Sequence, residues 1–296
     1  MKHHGKKHVS VVSVLLCAFL LFYTCTLLIM YFWGFFTSLK TTDQFMQDMI
    51  WLPPGAPWNW AWGNYGRALE LFSTTFLNNG RLVTVTFTDM LGNSLIYSFV
   101  GPLISVTVTW LMAYITATYP GRASKFIYSV NMVVMLVPIV GSLPSALQIY
   151  TRLRLYDTWG YVIVSSIGFV GANYLIFYAY FRTIAGELRE AAMIDGAGNF
   201  TVMTRIIFPL TLNMYGILFL TAFIGRWNDY MTMVIWLPSK PNLAYGMYRF
   251  STNTATGGSW PPVQIAGCMI LMIPILIIFL IFKDKVIGRV TIGALK

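Results

Sequence analysis

Two ionisable residues stand in a stretch long and apolar enough to cross a membrane. No Asp, Glu, Lys or Arg lies between Arg205 and Arg226, and the apolar character continues past Arg226 and Asp229 to about Trp236. Charge inside such a segment is costly and marks function by default. The i, i+3 spacing of Arg226 and Asp229 places them on one helix face, where they could pair. Trp227 and Asn228 sit beside them. A polar and aromatic group of this kind suits sugar hydroxyls and pyranose faces, making these four residues a candidate substrate path. It equally suits an ion pair that fixes helix packing, and the sequence alone leaves both readings open.

Other chemistry is sparse. The chain contains no Gly-x-x-x-x-Gly-Lys-Ser/Thr phosphate loop, so ATP must be handled by another chain. Cys17, Cys25 and Cys268 are odd in number and fall in apolar runs. That pattern argues against a disulfide framework or zinc site and reads as small packing residues. His3, His4 and His8 belong to a basic tail suited to anionic lipid. No catalytic residue and no metal site is expected.

A second group of residues is notable for its spacing. The segment from Glu187 to Pro209 places good helix formers through Ile194, then Gly196 and Gly198, then Asn199 and a second helical stretch. Ala191 and Ala192 are small enough for close approach to a partner. Gly196 suits a left-handed helix stop, Asn199 suits a helix cap, and Pro209 suits a kink in the helix that follows. The expectation is a short helix, a bend and a second helix, with Glu190 making a charge-assisted contact to a partner or to Arg189 or Arg205.

The elements that must carry these groups are membrane spans. Of 296 residues, 57% are hydrophobic and 10% charged, against about 25% charged in an ordinary soluble domain. Charge-free runs lie between Lys7 and Lys40, Asp89 and Arg122, Lys125 and Arg152, Asp157 and Arg182, Arg205 and Arg226, and Arg249 and Lys283. A span needs about 20 mostly apolar residues, so six transmembrane helices are predicted in an all-α polytopic membrane protein. Barrel strands are excluded because segments such as Ile270–Phe282 do not alternate. The first apolar stretch, Val9–Phe36, is too long for a signal-peptide core and is expected to remain as a helix.

One membrane domain over residues 1–296 is expected. It divides into a cytoplasmic tail and first helix (1–36), an outer loop (37–88), core helices (89–283) with a cytoplasmic loop at 183–209, and a cytoplasmic tail (284–296). This orientation puts 12 of the 20 basic residues on short cytoplasmic segments or helix ends: Lys2, Lys6, Lys7, Arg122, Lys125, Arg182, Arg189, Arg205, Lys283, Lys285, Arg289 and Lys296. The positive-inside rule supports it. The net charge of +10 is then topology and lipid contact, not nucleic-acid binding. Trp51, Trp58, Trp60 and Trp62 in the outer loop suit an interfacial belt or a subunit contact.

The loop spacing resembles the signature of binding-protein-dependent ABC importer permeases: Glu-Ala-Ala, three residues, Gly, nine residues, Ile, one residue, Leu-Pro. Glu190, Ala191, Ala192, Gly196, Ile206 and Pro209 match in place, and Phe208 replaces Leu. Asp195-Gly196-Ala197 is similar to the sugar-importer version. Gly92-Asn93-Ser94-Leu95, Tyr119-Pro120-Gly121-Arg122, Val137-Pro138 (which breaks the third span), Leu155-Tyr156-Asp157-Thr158, Trp227-Asn228-Asp229-Tyr230 and the Gly293-Ala294-Leu295-Lys296 tail resemble the maltose-type carbohydrate permeases, second subunit type. The resemblance implies a five-helix importer core in a bacterial inner membrane, with both termini cytoplasmic. It implies a second, different permease subunit and two ATPase subunits that bind ATP and Mg. It also implies an extracellular solute-binding protein and a sugar, more specifically an oligosaccharide, as cargo. Coupling to the ATPase would run through Glu190, Ala191, Ala192, Asp195, Gly196, Ala197, Ile206 and Pro209. Another solute class, such as a peptide or amino acid, is the alternative. A secondary transporter fits less well, because neither an internal repeat nor a membrane carboxylate cluster is found.

Overall fold

A computed structural model describes residues 11–78, 81–137, 140–252 and 260–287. Sequence readings at Lys2, Lys6, Lys7, His3, His4, His8, Pro138, Arg289 and Gly293–Lys296 lie outside the described residues, as do the side chains of Glu187, Lys283 and Lys285. The chain divides into two compact units, one of residues 1–72 and 250–272, the other of 73–249 and 273–296.

The first unit begins with α1 (Val11–Ser38), whose apolar surface is almost wholly uncovered by protein. Its end is held by hydrogen bonds, with no terminating glycine. Asn64 Nδ2 donates to the Ser38 and Lys40 carbonyls, both at 2.8 Å, and so ties α1 to α3 (Gly63–Leu71). Lys40 is 2% exposed and donates from Nζ to the Asp48 carbonyl at 2.7 Å. Between them, α2 (Thr42–Gln47) opens on a capping box made by Thr41 and Gln44. Trp33 near the end of α1 donates to the Met49 carbonyl, and two of the outer-loop tryptophans brace backbone nearby, Trp60 to Gly55 and Trp62 to Pro57. Trp51 and Trp58 remain exposed, which suits the belt reading. Gly34 faces Met269 on the helix Pro261–Ile287, where a Cβ would lie 2.8 Å from the Met269 Cε.

The second unit opens with a hairpin, β1 (Thr74–Asn78) antiparallel to β2 (Arg81–Val85), with Thr75 facing Thr84. The all-α expectation therefore needs correcting by one small two-stranded sheet. The Asn79-Gly80 dipeptide between runs of β-branched residues was its signal. From there α4 (Phe87–Thr118) runs as a mast, packed against α7 (Trp159–Ser166), α8 (Ala172–Ile194) and α10 (Phe208–Trp227). Trp110 stands at the centre of this packing. Its indole N–H donates to Thr211 Oγ1 at 2.8 Å, its face stacks on Tyr114, and Phe181 and Phe208 meet it edge-on. Thr116 bonds the Tyr174 hydroxyl at 2.7 Å and Thr107 the Tyr215 hydroxyl at 2.7 Å. These polar pairs fix neighbour and register where apolar contact alone would let the helices slide.

Among the described residues, four helices are long and apolar enough to cross a membrane: Val11–Ser38, Phe87–Thr118, Asn199–Trp227 and Pro261–Ile281. The third and fourth predicted spans are each divided. α5 (Arg122–Leu136) and α6 (Leu143–Arg152) share the third, and Gly141 takes φ +79° between them. α7 and α8 share the fourth, separated by an irregular stretch ending at Gly171 with φ +145°. Near the other end of α6 and α7, a clasp closes the 153–158 turn, where Arg154 and Asp157 take φ near +57°. Asp157 Oδ1 accepts from the Ser239 N–H and hydroxyl, and Lys240 pairs with Asp157 at 3.7 Å.

Candidate functional site

The segment 183–209 is more helical than the sequence led one to expect. α8 continues unbroken to Ile194, so no separate short helix precedes the bend. Its stop is a Schellman motif. The Ala197 N–H donates to the Ala192 carbonyl at 2.9 Å, and the Gly196 N–H to the Met193 carbonyl at 3.1 Å. Gly196 has φ +82°, the left-handed geometry that an added Cβ would disfavour, although the space beside it is open. Gly198, not Asn199, occupies the cap position before α9 (Asn199–Thr201). Asn199 instead accepts from Arg189 Nη2 at 3.5 Å.

Beyond α9 the helix runs on to Trp227. Val202–Ile207 form a π turn that leads into α10, with Pro209 near the start of α10. The expected kink at Pro209 is therefore a change of register. Proline lacks the N–H that the Arg205 carbonyl would take in an α-helix, and i→i+5 bonding relieves that mismatch. Within this register Ile207 is fully buried and Ile206 half-buried.

The two alanines separate. Ala192 is 8% exposed and joins the cluster of Tyr114, Ala117, Phe181, Val202 and Ile207, so its small size serves this chain's own packing. Ala191 is exposed and remains available to a partner. Glu190 and Asp195 are exposed, and Glu190 forms no ion pair among the described residues. Arg189 is not its partner: the guanidinium lies over the Tyr119 ring at 4.7 Å. Three apolar side chains surround the bend with little cover, namely Ile194 (87% exposed), Phe200 (74%) and Met193 (45%). The sequence reading passed over them. Their signal was apolar type at positions flanking a polar, glycine-rich bend.

Arg226 and Asp229 do not pair. Asp229 accepts from the Tyr97 hydroxyl at 2.7 Å and from the Thr232 N–H at 3.0 Å. Arg226 donates to Ser166 Oγ at 2.8 Å and lies over the Tyr97 ring at 5.0 Å. Tyr97 thus separates the two charges, its hydroxyl on one and its face on the other. Gly101, one turn further along α4, leaves room for the guanidinium; a Cβ there would fall 1.8 Å from Nη1. Trp227 is buried, and Asn228 is exposed with its amide on the Ile224 carbonyl. The same face of α4 holds the 241–243 segment: Asn93 donates to the Pro241 carbonyl and Ser94 accepts from the Leu243 N–H. Asn131, expected to bond between helices, accepts from the Gly171 N–H at 2.8 Å.

Among the described residues no group of His, Cys, Asp or Glu is placed to hold a metal ion. The three cysteines are free and exposed, so they are not packing residues within the chain.

A mast of apolar helices, divided spans and a glycine-stopped helix with bare apolar tips describe a multi-pass membrane component of a transporter. The chain belongs to the family described as binding-protein-dependent transport system inner membrane component, whose model matches residues 105–292. Among curated relatives, an sn-glycerol-3-phosphate transport system permease protein of Brucella suis is 24% identical over 95% of this chain and 94% of its own length. An inner membrane ABC transporter permease protein of Escherichia coli is 27% identical over 95% of each chain. A trehalose transport system permease protein of Mycobacterium tuberculosis is 25% identical over 77% of this chain and 89% of its own. The fold matches the crystal structure of a bacterial ABC transporter involved in the import of the acidic polysaccharide alginate. The TM-score is 0.70 at 19% identity, covering 96% of this chain and 99% of that one.

Proposed function

We propose that this chain is one of two permease subunits of an ABC importer that takes up carbohydrate. An extracellular binding protein delivers the solute, and two separate ATPase subunits supply ATP and Mg chemistry. Relatives named for trehalose and for arabinooligosaccharides support the sugar reading. Relatives named for sn-glycerol-3-phosphate favour a phosphorylated polyol as the second reading.

The observation that carries the proposal is the end of α8. A Schellman stop at Gly196 presents Ile194, Met193 and Phe200 to solvent around a rigid bend, with Ala191 and Glu190 open beside them. Apolar knobs exposed on a fixed turn suit a groove on a partner. Ala192, Val202 and Ile207 tie the same turn to α4 and α8 through the core. A push on the tip is therefore a push on the helices that line the membrane. In this reading Glu190, Ala191, Asp195, Gly196 and Ala197 form the contact, and Ala192, Ile206 and Pro209 form its mounting. Asn228 is the one member of the Arg226–Asp229 group left open enough to meet solute.

The test is Gly196→Leu, compared with Gly196→Asn. Left-handed geometry costs a branched side chain about 1–2 kcal/mol, whereas Asn adopts it more readily. The Leu variant should insert normally, yet release the ATPase on purification or lose solute-stimulated hydrolysis in proteoliposomes. The Asn variant should retain both. Wild-type coupling in Gly196→Leu would remove this assignment of the turn.

A further inference from the structure

The divided fourth span leaves a cavity of about 210 Å³ between α4 and the stretch joining α7 to α8. Irregular backbone at membrane depth is tolerated where it is buried in protein or lines a water-filled space. Ser105 and Thr109 of α4 form one wall of this space, and Gly168, Gly171 and Asn173 form the other. Thr109 is 6% exposed and makes no hydrogen bond to any described residue, although it lines the cavity. Its hydroxyl opens on the cavity, where an entering water or solute hydroxyl can meet it. Ser105 Oγ reaches the Pro102 carbonyl only at 3.3 Å, a long bond that is readily exchanged. On the facing wall α8 begins, and its first N–H groups have no partners within the helix. Asn131 takes the Gly171 N–H, leaving those of Ala172 and Asn173.

We propose that this cavity is a subsite for one neutral, hydroxyl-bearing sugar ring on the solute's passage through this subunit. The inference rests on the importer reading above and locates a solute contact away from Arg226 and Asp229, whose side chains are engaged within the chain. Three features select the ligand class. The lining offers hydroxyls, an amide and backbone N–H groups, which match the donors and acceptors of a polyol. It contains no Lys, Arg, Asp or Glu, so nothing there compensates a phosphate or carboxylate. The volume lies below the roughly 300–1,000 Å³ of pockets that enclose a drug-sized ligand, and so suits a single ring in place of a whole oligosaccharide.

The experiment uses the assembled complex with Cys17, Cys25 and Cys268 replaced by serine. Ser105→Cys is exposed to a membrane-impermeant cationic methanethiosulfonate reagent, without nucleotide and after trapping with ATP and vanadate. The cysteine should react in one state and resist in the other. Modification should abolish uptake while leaving ATP hydrolysis stimulated by the binding protein intact. In parallel, Thr109→Val should lower uptake about three- to tenfold at low solute concentration, as expected for one hydrogen bond, and Thr109→Ser should preserve it. Uptake is measured with trehalose, arabinotriose and sn-glycerol 3-phosphate. Absence of labelling in both states, uptake that survives labelling, or equal transport by the Val variant and wild type overturns the subsite. Transport of the phosphate alone overturns the neutral ligand class. A wild-type complex that hydrolyses no ATP, or carries none of the three, counts against the importer or carbohydrate reading; labelling in neither state still rejects the subsite, and state-dependent labelling still supports it.

Discussion

At the scale of single residues, glycine does two different jobs. At Gly196 the backbone needs positive φ and the space is empty; at Gly101 the backbone is ordinary helix and the space is taken by a guanidinium. Gly101→Ala should force Arg226 off Ser166 and the Tyr97 face. The expected loss is about 1.5–3 kcal/mol, the worth of a hydrogen bond to a charged group. Thermal unfolding of the purified complex reads this, and the alanine should cost much less in an Arg226→Ala background. Additive losses would show that the two residues do not share the site. The first unit holds a titrating turn. Asp48 accepts the Ile50 and Trp51 N–H groups, at 2.9 and 3.1 Å, and these bonds hold its carboxyl below the usual carboxylate range. The sign follows from linkage: a depressed folded pKa contributes order above the unfolded value of about 3.9, and loses it as pH falls through the folded value. Trp51 fluorescence should therefore change with acid below about pH 4 in the wild type and stay flat in Asp48→Asn.

At the scale of elements, the legible parts were those governed by one-dimensional rules. Charge-free runs marked the four long helices, because lipid excludes ionised groups wherever they fall. The Glu190–Pro209 spacing marked the turn, because a Schellman stop requires glycine at one position. Of the divided spans, the third carries its break in Val137-Pro138, and the fourth was harder. Gly168 and Gly171 are visible in the sequence, yet an apolar run with a glycine still reads as one helix until α4 is seen to present Ser105 and Thr109 opposite the gap. The i, i+3 spacing that would let Arg226 and Asp229 pair takes no account of Tyr97, which arrives from a helix more than a hundred residues away. Ala192 was assigned outward for the same reason, since its cover is Val202 and Ile207 across the bend. The π turn was equally invisible, although its cause, Pro209, was in plain view. Pro209→Ala supplies the missing N–H and should let Val202–Ile207 relax to α-helix, rotating α9 relative to α10. Cysteines placed at Arg189 and Asn199, whose side chains meet at 3.5 Å, should then cross-link less efficiently than in a Pro209 background. Unchanged cross-linking would mean that the π register has another cause.

At the scale of the whole molecule, the proposal requires that the Gly196 turn and the β1–β2 hairpin lie on opposite sides of the membrane. The chain between them contains α4, the divided spans and α8. Three crossings, at α4, α5 with α6, and α7 with α8, carry the path from Ser73 to Asp195 on the six-span reading. An odd number of crossings puts these residues on different sides. Basic residues decide which side is which. On that reading Arg122, Lys125, Arg182, Arg189 and Arg205 fall on the side of the turn, and short basic segments are retained in the cytoplasm. Ser73 and Asp195 are both exposed, so a cysteine at either position is chemically open to a reagent that can reach its side. In intact cells carrying the full complex without native cysteines, an impermeant maleimide should label Ser73→Cys and leave Asp195→Cys unmodified until the membrane is permeabilised. Labelling of both would require an even number of crossings, so that one of the divided spans does not traverse. Labelling of Asp195→Cys alone would invert the chain and place the turn where no ATPase subunit could meet it.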